Sequence, residues 1–425
     1  MHKYSLLSAL ISSALLATGL TSAQATPEIC SLTVNTPRVT QATWLPTSLE
    51  WQRARAEAAA MSLSELAGAS LVVSYVGQAR ALSTAAGNAN FEKLGARSPG
   101  TGINQLGAAG AILFSENATT GKTAAAEIAK LKLSETDDLV AIDQEGGTVV
   151  RLRGDIEPPI PASRIGAIGR NAVAEKNAYL SARQLVSARI NVVFAPVTDV
   201  RTSRTESSLA ARTFGSSAAK VGNLVAAQVR GYGRAGLMSS LKHYPGLGGI
   251  STDTHFTAGI FAGNRDNFCE VHVKPFAIAI NAGAPMVMVG HANYPDFGNV
   301  PATANREIVY DLLRDELGFD GIIITDSMLM SAATIGLKAG QSSTVRALKA
   351  GNDLLLMPVN AVRAKSEIQK ALTNGNLSVT ERRESIARVI AWGNAFARVR
   401  ASLTKFEAGN SKLQSDAIAF RNKWN

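Results

Sequence analysis

One unit recurs eight times from residue 69 onward and limits the folds open to this chain: an apolar run, a break into polar or glycine residues, then a helical stretch. The runs are 71–76, 111–114, 139–142, 192–196, 238–241, 286–289, 322–325 and 353–357. Most are apolar at consecutive positions, where a strand with one wet face would alternate. That is the pattern of a parallel strand buried on both faces. Helical periodicity fills the intervals, as over 172–189, 216–235 and 306–317. Eight strand–helix units read as an α/β fold, a single (β/α)8 TIM-type barrel. An open doubly wound sheet is the alternative, and closure accounts better for eight units.

Polar residues cluster where the runs end. The third gives way to Asp143-Gln144-Glu145-Gly146-Gly147 and the fourth leads to Asp199. The fifth is followed by Lys242-His243, the sixth by His291 and the seventh by Asp326. In a barrel these ends share one rim, where active sites are built. A single Asp or His there would be an ordinary loop cap. Charges converging from five strands cost stability and call for a chemical reason.

The flanks are of a different kind. Met1-His2-Lys3, an uncharged stretch from Leu6 to Leu20, and Ala23-Gln24-Ala25 form an export leader with its cleavage site. A membrane anchor is the competing reading, but the apolar stretch is short and broken by Ser12, Ser13, Thr18 and Gly19. The expected organisation is therefore a signal peptide at 1–25, an N-terminal segment and helix at 26–68, the barrel at 69–375 and a C-terminal helical extension at 376–425. Removing the leader takes one lysine from a net charge of +10 and leaves +9. An anionic partner such as a wall polymer suits that balance, as does a plain solvated surface. The basic residues form no arm or dense run, which argues against nucleic acid. The mature chain is expected to have no stable membrane span, and its oligomeric state is left open. Cys30 and Cys269 lack metal or redox spacing. In an oxidising compartment they could pair, or Cys269 could be a buried thiol.

Asp326 follows Gly321-Ile322-Ile323-Ile324-Thr325, so a rigid strand would aim its carboxylate at the barrel mouth. Capping the next helix is the plainer role. The segment 242–255, Lys-His-Tyr-Pro-Gly-Leu-Gly-Gly-Ile-Ser-Thr-Asp-Thr-His, ends with Asp253 and His255 two residues apart. A carboxylate beside an imidazole orients it and raises its pKa, which suits proton transfer in both directions. Gly246, Gly248 and Gly249 suggest a mobile loop that carries the pair. Phosphate cradling and metal binding are the competing readings, and neither spacing matches a standard site.

Together 142–147, 194–200, 242–255 and 318–326 resemble glycoside hydrolase family 3, specifically its single-domain β-N-acetylglucosaminidases that act on peptidoglycan fragments. The likeness runs from about residue 63 to about 358. It implies that Asp326 is the nucleophile, His255 the acid/base and Asp253 the residue that orients it. It also implies that Asp143, Arg151, Arg212, Lys242 and His243 hold the sugar, with no metal or organic cofactor. Taken alone, Arg151 and Arg212 would read as surface salt bridges. His291 and Asp199 stand at the rim without an assigned role. The chain departs from the pattern at Thr148, where relatives commonly have arginine, and at Leu247, where many have histidine. The expected substrate is a saccharide with terminal β-linked N-acetylglucosamine, derived from peptidoglycan or chitin and met in the periplasm or outside the cell. Too little chain follows the eighth strand for the second domain that supplies a carboxylate acid in glucosidases. A β-glucosidase or β-xylosidase of the same family, or a silent wall-sugar receptor, are the alternatives. Water is the expected acceptor, and phosphate the alternative.

Overall fold

The computed structural model describes residues 28–34, 36–134, 136–254, 257 and 259–424, so the leader expected at 1–25 lies outside the described residues. The barrel strands are β1 (Leu71–Val73), β2 (Gly110–Leu113), β3 (Leu139–Ile142), β6 (Val192–Val193), β7 (Met238–Tyr244), β8 (Met286–Val289), β9 (Ile322–Thr325) and β10 (Leu355–Leu356). All pair in parallel, in the order β10-β1-β2-β3-β6-β7-β8-β9. A parallel bridge between Ile324 and Leu354 joins the two ends, and the Thr325 N–H donates to the Leu354 carbonyl at 3.1 Å. The sheet closes into the expected barrel.

The continuous apolar runs follow from this closure. Val72, Ile112, Ile322 and Ile324 fill the barrel interior, while their neighbours Leu71, Val73 and Ile323 face the surrounding helices. Both faces are dry over most of the barrel, and the polar residues the strands do carry, Ser239, Ser240, Lys242 and His243 of β7 and Thr325 of β9, are buried as well.

Three features depart from the sequence reading. A hairpin, β4 (Gln144–Gly146) with β5 (Val149–Val150), stands on the rim directly after β3. The Gln144 side chain fastens it, accepting from the Arg151 and Leu152 N–H groups at 2.8 and 3.1 Å and donating to the Leu152 carbonyl at 2.9 Å. The helix expected within 26–68 is two helices, Ser48–Ala60 and Leu63–Gly68. The second begins at its own capping box, in which Ser62 and Glu65 satisfy each other's backbone N–H groups.

The third concerns the chain after residue 376. Helix Val379–Ser402 sends Val389, Trp392, Phe396 and Val399 against the barrel interior, where Trp44 joins them. The segment expected as an extension is the plug of the barrel's N-terminal mouth. Trp44 and Trp392 donate their indole N–H groups to the Gly283 and Asp320 carbonyls, so neither buried ring carries an unpaired donor. Helix Ser411–Trp424 lies outside, against Asn171–Ser187.

Cys30 and Cys269 form a disulfide that joins residues 239 positions apart. Beside it the Glu316 carboxylate accepts from the backbone of Ile29, Cys30 and Ser31. Among the described residues, no helix is long and apolar enough to cross a membrane.

Candidate active site

The site is built from strand ends. Asp326 leaves β9, and its backbone N–H donates to the Val289 carbonyl of β8 at 2.8 Å, which fixes the main chain at the rim. Its Oδ1 accepts the Ser327 N–H at 2.7 Å. Burial alone would raise its pKa. His243, His291, the Ser327 N–H and Lys242 outweigh burial and hold the carboxyl below its usual value. An ionised, half-buried oxygen is thus presented to the cavity.

Behind it lies an ionic network. Lys242, near the end of β7 and buried, places Nζ 2.8 Å from Asp143 Oδ1 and 2.6 Å from Glu145 Oε1. Arg212 grips Glu145 with two bonds of 2.8 Å. Arg151, returned toward β3 by the hairpin, reaches Asp143 at 3.4 Å and lies over the Phe114 ring. Burial works to raise the pKa of Glu145, but Lys242 and Arg212 hold it down at about 2. Burial also opposes the charge on Lys242, and Asp143 and Glu145 prevail, so its pKa is raised. Glu145 and Lys242 keep their charges in this buried place because each has an opposite charge within bonding distance.

Asp199 and His291 have supporting roles. Asp199 accepts from His243 Nδ1 at 2.8 Å, from the His243 N–H at 3.2 Å and from the Leu247 N–H at 2.6 Å. Because Nδ1 serves Asp199, Nε2 is the ring atom of His243 left for the cavity. His291 is buried, and burial lowers its pKa. Its Nε2 donates to the Ser327 carbonyl at 3.0 Å, while Nδ1 lies 2.7 Å from Thr303 Oγ1. It holds the main chain beside Asp326 from below.

Two adjoining cavities share Arg212, His243 and Asp326 on their walls. The larger, about 1030 Å³ with its open mouth, is bordered by Asp143, Arg151 and Lys242 and floored by Phe194 and Met288. The smaller, about 380 Å³, has Asp253 and Thr254 on its wall. His255 lies outside the described residues. Asp143, Arg151, Arg212, Lys242, His243, Asp253 and Asp326 therefore meet around one space. Charged side chains spread around an apolar floor are the combination that binds and orients a polar ring.

The glycines of the loop have a different cause from the one expected. A Cβ at Gly248 would lie 1.7 Å from the Val200 carbonyl oxygen, and one at Gly249 would lie 2.5 Å from the Phe261 ring. Residues 246–250 are buried, with the His272 ring packed beneath the three glycines. Close packing, not freedom of motion, requires glycine here. Glu145 was quoted in the motif but given no role. Its signal was only a second carboxylate two residues after Asp143, on the same side of a strand that periodicity did not reveal.

Residues 99–392, more than half of the chain, match the model described as "Glycosyl hydrolase family 3 N terminal domain". The chain belongs to glycosyl hydrolase family 3. As a family 3 protein it is a glycosidase. It is 31% identical over 323 residues to "Beta-hexosaminidase A" of Pseudoalteromonas piscicida, a match that covers 68% of this chain and 53% of that protein. The chain thus spans about half the length of that relative. It is 32% identical over 257 residues to "Beta-hexosaminidase" of Stenotrophomonas maltophilia (strain K279a), covering 59% of this chain and 76% of that one. Among solved structures, the family 3 β-N-acetylglucosaminidase from Paenibacillus sp. str. FPU-7 superposes with a TM-score of 0.74 at 26% identity. The superposition covers 86% of this chain and 69% of that one. The family resemblance read from 142–326 and the expected barrel are both borne out.

Proposed function

We propose that this family 3 enzyme is an exported, retaining β-N-acetylhexosaminidase. It removes terminal β-linked N-acetylglucosamine from saccharides of peptidoglycan or chitin origin. The observation that carries the reading is Asp326: an ionised carboxylate at a strand end, on the wall of a cavity bordered by ionic side chains. The names of the relatives point the substrate toward N-acetylhexosaminides.

In this mechanism the sugar enters the larger cavity, where Asp143, Arg151, Arg212, Lys242 and His243 bind its hydroxyls. Charge-assisted hydrogen bonds give that grip its strength. An Asp326 oxygen attacks the anomeric carbon while His255, oriented by Asp253, gives its proton to the departing oxygen. A covalent glycosyl ester on Asp326 results. His255 then takes a proton from water, which attacks the same carbon and frees the sugar with net retention. The position of Asp253 beside Asp326 in the smaller cavity supports a proton donor arriving from that side. Export is supported by the Cys30–Cys269 disulfide, which belongs to an oxidising compartment.

The test compares release of a fluorescent phenol from its N-acetyl-β-glucosaminide with release from its β-glucoside. Fast release from the first and slow release from the second is expected. The reverse would make the enzyme a glucosidase, and silence on both would leave a sugar receptor. Trapping with a 2-fluoro sugar followed by peptide mapping should place the label on Asp326, and a label elsewhere removes the assignment.

A further inference from the structure

Beneath the barrel, at the end opposite Asp326, three guanidinium groups share one carboxylate. Asp353, just before β10, is fully buried. It lies 2.8 Å from Arg314, 3.2 Å from Arg388 and 3.9 Å from Arg382. Arg314 spends its other terminal nitrogen on the Phe319 and Gly321 carbonyls ahead of β9. Arg382 is 4% exposed; its terminal nitrogens serve Asn352 and Asp353, and its Nε has no acceptor. The cluster carries two positive charges more than its carboxylate neutralises, in a place where unbalanced charge is costly. Burial, only partly offset by Asp353, brings Arg314 and Arg382 down to about 10.

A cavity of about 780 Å³ opens over this cluster, with Arg314, Arg382 and Arg388 on its wall. Ser378 and Thr380 line it from the N-terminal end of the 24-residue helix Val379–Ser402, whose dipole adds positive potential there. Two carboxylates also line it. Glu384 is bonded to Arg55 at 2.9 Å and also feels Arg388, and Glu381 stands 4.0 Å from Arg306. Both have arginines of their own, so the inner excess remains.

We propose that this cavity binds a compact oxyanion of the phosphate class, held by Arg382, Arg388 and the hydroxyl of Thr380 at the helix N-terminus. The planar, permanently charged guanidinium matches such an anion with paired bonds. The site is separate from the sugar cavity and shares no residue with it.

The test titrates the mature enzyme with inorganic phosphate against sodium chloride of equal ionic strength, with the sugar cavity filled by N-acetylglucosamine. Melting temperature and heat of binding are followed. A saturable rise of about 3 °C at a hundredfold excess over Kd is expected for a chain of this size. Arg388→Gln should abolish the saturable part, and Glu381→Gln, which removes a competing carboxylate, should tighten binding severalfold. A response that never saturates, or one that Arg388→Gln retains in full, overturns the proposal. Should Arg388→Gln not fold, a Glu381→Gln affinity no higher than wild type overturns it.

Discussion

At the scale of single residues, the site depends on which charges can be removed without stranding another. Asp326 has the Ser327 N–H and nearby histidines as partners, and its replacement by Asn preserves shape and the Ser327 bond. Asp326→Asn should therefore fold normally and lose about a thousandfold or more in kcat, measured by phenol release. Glu145 is different. It neutralises the buried Lys242 and the partly buried Arg212, so Glu145→Ala should cost about 3–5 kcal/mol in a denaturant titration. The pH dependence follows from its depressed pKa. A carboxyl held at about 2 in the fold and near 4.5 when unfolded stabilises the protein above 4.5. That contribution, about 3 kcal/mol, is lost as pH falls through 4.5 toward 2. The stability gap between wild type and Glu145→Gln should thus shrink over that interval and hold steady above it. Asp143, Lys242, His243 and Asp326 were readable because each follows a buried run directly. The partnership of Glu145 with Arg212, 67 positions away, depends on a hairpin and on packing that local pattern does not encode.

At the scale of elements, the barrel strands were legible because burial on both faces leaves a mostly apolar signature, interrupted in β7 by Ser239 and Ser240. The pair β4–β5 was not, since it is two and three residues long and lies on the rim with no apolar face to reveal it. The split of the first helix was written in Ser62-x-x-Glu65, but a shared helical composition on both sides masked it. Helix Val379–Ser402 was read as helix, yet its task was hidden. Its apolar residues form a narrow seam among many charges, and no local feature says that the seam meets a barrel mouth. That placement makes a quantitative claim. Trp392 is 1% exposed and packs against the barrel interior. Trp392→Ala should lower stability by about 3–5 kcal/mol in a denaturant titration while leaving kcat/KM of the folded fraction unchanged. A kinetic loss without a stability loss would mean that the plug acts on the sugar cavity at the other end.

At the scale of the whole molecule, the N-terminal segment is joined to the barrel at several places along its length. Arg398 grips Glu50 and the Thr43 and Leu45 carbonyls, and the disulfide joins Cys30 to Cys269. Sequence left the pairing open because two cysteines 239 positions apart carry no sign of their distance in space. The bond closes a very long loop, for which the chain-entropy model gives a stabilisation of about 5 kcal/mol as an upper figure. A compact unfolded chain brings the actual value below that, because it loses less entropy on cross-linking than an ideal one. A drop of about 2–4 kcal/mol is therefore expected on replacing both cysteines by alanine, or on reduction under conditions that leave the fold intact. The residues of the proposed site sit at the far ends of β3, β7 and β9, so activity at moderate temperature should persist while the melting temperature falls by several degrees. Thermal unfolding with and without reductant, run beside the phenol assay, separates the two. Activity lost on reduction before any unfolding would place the disulfide's influence at Cys269 itself, three residues from the His272 ring that underlies Gly246, Gly248 and Gly249.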